Sequence, residues 1–469
     1  MVPVLDAREM NQRRGFAAAI PQSLAVPHLH GSVLIQLALC AFPILLGNLL
    51  GRPVAGGFAF LAVLLMLFIY HSLKRQPFHH LSLLIAALPL VVFVRNYSIP
   101  FNSVVALLAW GLSWALLARG DFQYVWRRKT VFAIIAGSIL YWWFTFLLTG
   151  RYSDNMRALE WSFSAAVTYM LSSRRSYFAT AIVGIAISAI FLGVGLMPYG
   201  DRLGMAVIAG VGIGNPILLG LPTALVFVLS FAEGGKWLLL NRRPLWRLAL
   251  TFATGIVLVF STSRGSWAVA IIGLTVLFIL DRKARTGMLI SIPILVVGLA
   301  LLWSTPRGRA TEHYLMKAVS SDNSAASRTN GRSGQWTTFP EVLGESPVWG
   351  FGPGSGRRVS VQYARENIPY HSLFLHVGAE MGILGLTLLG ALLWVLIRRD
   401  LLHYSASAEV VPLLGTISFI VTGLSVSGLD SLGGMMIGIG LIGGSFPNFW
   451  VLRETQQDLA VTHLVGDHA

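Results

Sequence analysis

Charged residues and cysteine are scarce in this sequence. Only 12% of the 469 residues are charged, about half the share of an ordinary soluble domain. Cys40 is the single cysteine, which excludes an intramolecular disulfide and a cysteine-based metal site. No long apolar stretch begins before residue 33, and the one that begins there predicts a first spanning helix rather than a cleaved signal peptide.

Hydrophobic residues, by contrast, make up 55% of the chain, and its mean hydropathy is +0.68. Apolar runs of about 16–25 residues recur along nearly the whole length, and each can cross the ~30 Å hydrocarbon core of a bilayer. The sequence therefore predicts an all-α polytopic membrane protein with about 12–14 transmembrane helices. The candidate spans are 33–50, 56–73, 81–94, 103–118, 131–149, 158–173, 178–197, 205–231, 247–261, 266–281, 287–303, 373–397, 409–427 and 433–452. Within 205–231, the glycine- and proline-rich "GVGIGNPILLGLP" predicts a broken helix.

The basic residues indicate the orientation of the chain. When the spans alternate, 21 of the 35 Lys and Arg fall on the side of the N-terminus, and only six fall in short loops on the other side. The positive-inside rule then predicts a cytoplasmic N-terminus and an outer position for the long polar segment 304–372. The same distribution explains the net charge of +15 without nucleic acid binding. The predicted divisions are a cytoplasmic segment 1–32, a helix bundle 33–303, the outer loop 304–372, C-terminal spanning helices 373–452 and a cytoplasmic tail 453–469.

The outer loop interrupts the apolar pattern for too long to be a simple connection. Helical spacing predicts short amphipathic helices at about 311–319 and 333–343. A disordered tether is the alternative, although the aromatic residues and the "PVWGFGPGSG" cluster favour ordered structure. The glycines do not form a nucleotide-binding loop, because no Lys-Ser/Thr follows them and no strand precedes them.

Two groups of residues in this part of the chain resemble the signature of the O-antigen ligase and polymerase superfamily. The first group comprises Gly331-Arg332, Trp336, Pro347, Gly350, Gly352, Gly354, His371-Ser372-Leu373 and Glu380-Met381-Gly382-Ile383-Leu384-Gly385. The second is "STSRGSW", Ser261 to Trp267, with Arg264 at the outer end of a span. The family commonly has His-Asn where this chain has His371-Ser372, so a hydroxyl must fill the role of the amide unless that role is dispensable.

The residue types in the outer loop predict a reaction that needs no metal ion. The outer loop has no closely spaced carboxylates for Mg²⁺ and no convincing His set for Zn²⁺, so no cofactor is expected. Histidine is the side chain that most readily acts as a general base near neutral pH, so His371 is the candidate base, and His313 is a competing candidate. Arginines bind phosphate through a fork of donors. The alternatives are an interfacial histidine, a snorkelling Arg264 and a solvated Arg332.

The resemblance implies what these groups act on. The donor would be a glycan on undecaprenyl pyrophosphate and the acceptor a sugar hydroxyl of lipid A–core, at the periplasmic face of a bacterial inner membrane. His371 would be the catalytic base, and Arg264 and Arg332 would hold the pyrophosphate, with Arg202 and Arg328 as further phosphate-binding candidates. Glu380 would either pair with an arginine or hold the fold. The alternatives are an O-antigen polymerase of the same superfamily and, from another class, a lipid or polysaccharide transporter.

Overall fold

The computed structural model describes residues 26–73, 175–196, 206–208, 211–213, 216–233, 244–261, 263–304, 332–352, 354–365, 370 and 372–425, with a few single positions besides. Its helices are α1 (Val26–Leu49), α2 (Pro53–Leu73), α3 (Arg175–Leu196), α4 (Pro216–Phe231), α5 (Pro244–Phe260), α6 (Arg264–Leu280), α7 (Arg282–Trp303), α8 (Arg332–Glu345), α9 (Gly356–Val359), α10 (Leu373–Ser407) and α11 (Val411–Ser425). A π-helical turn, Ser360–Ala364, continues α9. Two short antiparallel strands, β1 (Ala206–Ile208) and β2 (Val211–Ile213), precede α4.

The helical class is confirmed for the described part of the chain, with one local correction. The span 205–231 was predicted to be a broken helix, but a β-hairpin rather than helix occupies its first part, and α4 begins only at Pro216. Proline suits the first turn of a helix, where its missing N–H would have no partner anyway. The predicted spans 81–94, 103–118, 131–149, 158–173 and 433–452 and the short helix 311–319 lie outside the continuously described segments.

Helix α4 is the centre of the bundle. It packs against α3, α5, α6 and α7, and its residues from Ala224 to Phe231 are buried on every side. A helix that is apolar all round can be stable only when neighbours or lipid cover it completely. Between α5 and α4, the Thr251 hydroxyl donates to the Ser230 hydroxyl at 2.8 Å, a polar contact that fixes how two apolar surfaces meet.

Asp281 organises the end of this bundle opposite to Arg264. Its carboxylate accepts the backbone N–H groups of Lys283 and Ala284 at the start of α7, at 2.9 and 3.1 Å. The second carboxylate oxygen accepts the N–H of Glu233, just beyond α4, at 2.6 Å. Asp281 therefore lies at the end of α6, caps the first turn of α7 and links both helices to the end of the central helix α4.

Among the described helices, α10 alone is long and apolar enough by length and composition to cross a membrane. It has 35 residues and a mean hydropathy of 2.1 in its most apolar window. The predicted span ended at residue 397, but the helix runs ten residues further and ends at Ser407, followed by Ala408, which has a left-handed backbone. Helix α11 then folds back against α10 and contacts α6.

Candidate active site

The described residues of 332–382, called here the loop unit, fold together around a small core of their own. Val342, Val359, Tyr370, Leu375 and Ala379 are buried in that core, and Phe339, Phe351 and Tyr363 pack around it. The predicted helix 333–343 is confirmed as α8. The loop unit thus joins helices α8, α9 and the beginning of α10, which carry most of the residues of the first motif.

Helix α10 is broken inside the loop unit at Gly382, whose φ of 62° and ψ of −156° are not helical. The turn after α8 fills the break. Four backbone hydrogen bonds join the turn to α10. The N–H groups of Ile383 and Leu384 donate to the carbonyls of Pro347 and Val348, at 2.7 and 3.3 Å. In the other direction, the N–H groups of Phe351 and Gly352 donate to the carbonyls of Ala379 and Glu380, at 2.8 and 3.0 Å. The backbone groups that the break would leave without helical partners are therefore bonded to the turn.

Two glycines make this close approach possible. Gly350 has a φ of 65°, and a Cβ added to it would lie 2.5 Å from the carbonyl carbon of Glu380. A Cβ added to Gly382 would lie 2.5 Å from the carbonyl oxygen of Val348. Both positions therefore need glycine for its backbone conformation and for its lack of a side chain.

Glu380 holds the second half of the glycine-rich turn. Its carboxylate accepts the backbone N–H of Gly356 at 2.9 Å and also bonds the N–H of Gly354. The same oxygen lies 3.1 Å from Nε2 of His376, one helical turn earlier, and both side chains are buried. The sequence left two roles open for Glu380, pairing with an arginine or holding the fold. Its contacts with described residues are those of a side chain that holds the fold. A buried carboxylate at this position requires such partners.

Two further contacts close the loop unit on its other side. The Tyr363 hydroxyl donates to the carboxylate of Glu345, and this hydrogen bond raises the pKa of Tyr363 to about 12. The Gln335 amide donates to the Ser360 hydroxyl at 3.0 Å, and both side chains are buried. Helix α8 is therefore fastened at both ends to the π-helical turn, which fixes the glycine-rich segment between them.

Tyr370 and Ser372, the neighbours of His371, are almost completely buried. Tyr370 packs edge-on against Phe339, with ring centroids 6.4 Å apart, and burial raises the pKa of Tyr370 to about 12. Ser372 is the N-cap of α10, but its hydroxyl makes no capping bond. Within the described part of the chain, neither the Tyr370 nor the Ser372 hydroxyl has a hydrogen-bond partner. Burial of Tyr370 and Ser372 thus fixes the positions of the residues on both sides of His371.

The second motif, 261–267, forms the tight connection between α5 and α6. The Ser266 hydroxyl donates to that of Ser263 at 2.7 Å, and the Trp267 indole N–H donates to the carbonyl of Leu258 at 2.8 Å. Arg264, the first residue of α6, is exposed. The serines and the tryptophan therefore build the turn, and the arginine is the member of the motif that faces outward from it.

Comparison with known protein families finds one match for this part of the chain. Residues 249–390 match the family model described as O-antigen ligase, Wzy_C. This part of the chain is therefore similar to the O-antigen ligase family. A comparison with curated protein sequences finds no match.

The matched family consists of membrane glycosyltransferase-like enzymes of the ligase/polymerase type. The proteins of that family are integral membrane proteins, and the family implies a lipid-linked glycan as substrate and a lipid as acceptor. The matched range covers both motifs and the whole loop unit. It includes Arg264, Arg328, Arg332 and His371 but not Arg202.

The described structure places some of the predicted ligase/polymerase site residues. Arg264 and Arg332 are each the first residue of a helix, α6 and α8, and the side chain is described for Arg264 alone. His371, Arg202 and Arg328 lie outside the described residues. Their convergence on one substrate therefore stays a prediction.

The contact between His376 and Glu380 was not predicted from the sequence. Their spacing of four residues on an apolar helix was the available signal, because residues i and i+4 face each other. Among the described residues, no group of three or more His, Cys, Asp or Glu side chains is placed to hold a metal ion.

Proposed function

We propose that this protein is an O-antigen ligase of the ligase/polymerase superfamily. It transfers a glycan from undecaprenyl pyrophosphate to a sugar hydroxyl of lipid A–core at the periplasmic face of the inner membrane, without a metal ion. The observation that carries this proposal is the loop unit, in which Glu380 and the break at Gly382 hold the glycine-rich turn against the start of α10. His371 lies in the chain directly before that start.

In the proposed reaction, the acceptor hydroxyl oxygen attacks the anomeric carbon of the donor sugar. His371 takes the hydroxyl proton as the new carbon–oxygen bond forms. The bond from the anomeric carbon to the pyrophosphate oxygen breaks, and its electron pair leaves with undecaprenyl pyrophosphate. Arg264 and Arg332 stabilise the negative charge that develops on this leaving group, and Arg202 and Arg328 add to the positive field.

The choice of ligase over polymerase rests on the single dominant loop, 304–372, since polymerases more often have two sizeable loops. The described part of that loop supports an acceptor site rather than a tether, because residues 332–352 and 354–365 are folded and share a core with α10. A structured loop beside a membrane helix can orient a large acceptor against a lipid-linked donor.

The test is a reconstitution with undecaprenyl pyrophosphate-linked glycan, purified lipid A–core and EDTA, scored by gel for capped lipopolysaccharide. The proposal expects capped lipid A–core from the wild type and none from His371→Ala. The matched control is His403→Gln, because His403 lies near the far end of α10, where it bonds to Glu409. Longer glycan that remains on the carrier would identify a polymerase, and no product with either acceptor would favour a transporter. Near-normal transfer by His371→Ala would exclude the assigned base.

A further inference from the structure

The surroundings of helix α10 change at Gly382. From Ser372 to Gly382 every residue is buried or half-buried, and most are covered by the loop unit. Immediately beyond the break, Ile383 is 52% exposed and Leu384 is 43% exposed, and exposed apolar residues continue along the helix as Leu388, Leu392 and Val395. The exposed face of this spanning helix is the surface that lipid covers in an integral membrane protein.

The turn that fills the break carries its own exposed apolar side chains. Val348 is 52% exposed and Trp349 is 69% exposed. The backbone of Pro347 and Val348 is hydrogen-bonded to Ile383 and Leu384, so this surface is continuous with the lipid-facing side of α10. The sequence from residue 346 to residue 356, "SPVWGFGPGSG", contains no charged residue, and charges resume only at Glu345 and Arg357.

The length of α10 sets the depth of this turn. Arg398 is the first charged residue after Glu380, and it marks where the helix reaches the opposite headgroup region. Gly382 lies 16 residues before Arg398, which at 1.5 Å per residue is about 24 Å along the helix. The hydrocarbon core is ~30 Å thick, so Gly382 and its turn lie about 6 Å below the surface of the hydrocarbon on the loop side.

We propose that the turn Ser346–Gly350 enters the hydrocarbon of the leaflet on the side of segment 304–372, with Val348 and Trp349 in contact with lipid chains. Trp349 anchors the loop unit at the membrane interface. Bilayer lipid, rather than a protein partner, covers its exposed side chain. This inference rests on the membrane crossing of α10 and is independent of the chemistry assigned to His371 and the arginines.

The hydrogen bonds at the Gly382 break are those expected of backbone that lies within the hydrocarbon. Non-helical backbone is tolerated in hydrocarbon only when protein satisfies its polar groups. The N–H groups of Ile383 and Leu384 and the carbonyl groups of Ala379 and Glu380 all bond to the turn. The turn and the break therefore form one unit that enters the leaflet with its central peptide groups paired.

The test uses single-cysteine variants in a Cys40→Ser background, labelled with an environment-sensitive nitrobenzoxadiazole fluorophore. The full chain is reconstituted in phosphatidylethanolamine–phosphatidylglycerol vesicles that contain lipids with a nitroxide on the acyl chain or on the headgroup. Trp349→Cys is the test position, Leu388→Cys on the exposed face of α10 is the lipid control, and Glu341→Cys, exposed on α8, is the aqueous control. Val348→Cys replaces Trp349→Cys if the latter does not fold.

The expected result is that the probe at position 349 loses emission with the acyl-chain nitroxide, as the probe at 388 does, and is protected from aqueous iodide. The probe at 341 should be quenched by iodide and not by the acyl-chain nitroxide. Equal iodide quenching at 349 and 341 would overturn the proposal, and so would quenching at 349 by the headgroup nitroxide alone. Glycan transfer measured on the same vesicles keeps this result separate from the proposed function, since either can fail without the other.

Discussion

A Cβ added to Gly350 would lie 2.6 Å from the backbone nitrogen of Gly382. These glycines are 32 positions apart in the chain, and both have a positive φ where their backbones meet. The turn at Gly350 and the break at Gly382 are therefore one structural feature. The two separated parts of the first motif specify a single contact, and this explains why both contain glycine at these positions.

Substitution of Gly350 or Gly382 by alanine should destabilise the loop unit. An L-residue at a strained positive φ costs about 1–3 kcal/mol, and the contact of the new Cβ with backbone atoms adds to that cost. We expect Gly350→Ala and Gly382→Ala to lower the thermal unfolding midpoint in detergent and to reduce glycan transfer together with it.

Gly390 and Gly344 provide matched controls, because an added Cβ meets nothing within 4 Å at either position. Gly390 lies in the same helix as Gly382, and Gly344 lies in α8. Alanine at either position should leave stability unchanged or raise it by up to about 1 kcal/mol, as helix propensity predicts. Equal losses in all four variants would show that the contact between the turn and the break has no special importance.

The His376–Glu380 pair should contribute more to stability than the His403–Glu409 pair at the other end of α10. Both pairs have a nitrogen–oxygen distance of 3.1 Å, but the side chains are 8% and 7% exposed in the first and 15% and 23% exposed in the second. Removal of one partner of a buried pair costs about 3–5 kcal/mol. We therefore expect Glu380→Gln to be strongly destabilising.

Double-mutant cycles with glutamine at all four positions measure the difference. The coupling energy should be about 0.5–3 kcal/mol for His376 and Glu380, because they contact each other in a buried network. It should be no more than about 1 kcal/mol for the partly exposed His403 and Glu409. A larger coupling for the second pair would contradict the structural role assigned to Glu380.

The sequence predicts those parts of this fold that depend on local pattern. Apolar run length and helical spacing predict α1, α2, α3, α5, α6, α7, α10 and α11 and place α8 within two residues of its observed ends. The end of α10 was predicted too early, because Arg398 and Arg399 mark the end of an apolar run but not of a helix. Asp400 is buried and accepts a hydrogen bond from Thr416 of α11, so α10 continues past these charges.

The break at Gly382 could not be predicted in the same way. A glycine in an apolar helix is compatible with a continuous helix, and the conformation of Gly382 depends on a turn more than thirty residues earlier in the chain. The role of Glu380 likewise depends on backbone N–H groups of Gly354 and Gly356, which no periodicity reveals. Residue type and motif predict which residues bear the chemistry, whereas the contacts that support the chain around them required the fold.

The hydrogen bond between Tyr363 and Glu345 predicts a dependence of stability on high pH. Because the pKa of Tyr363 rises from about 10 to about 12 on folding, the neutral phenol is favoured in the folded state. The stabilisation is complete below pH 10 and is lost as the pH rises through 12. Absorbance titration of wild type minus Tyr363→Phe should show the late-titrating tyrosine, and Glu345→Gln should lower its pKa toward the ordinary value. An unchanged titration in Glu345→Gln would exclude the carboxylate as the cause.

The proposed pyrophosphate clamp makes a prediction about arginine geometry rather than charge. Arg264→Lys and Arg332→Lys keep the positive charge but lose the planar fork that can bond two phosphate oxygens at once. Loss of one charge-assisted hydrogen bond, worth about 1.5–3 kcal/mol, should reduce transfer by roughly ten- to hundredfold. Arg358→Lys is the control, because Arg358 is exposed on α9 of the same loop unit and has no assigned role at the pyrophosphate. Initial rates of lipid A–core capping at saturating donor measure the effect. If all three variants lose activity equally, or none does, the arginines supply only a positive surface, and the specific contacts assigned to Arg264 and Arg332 are wrong.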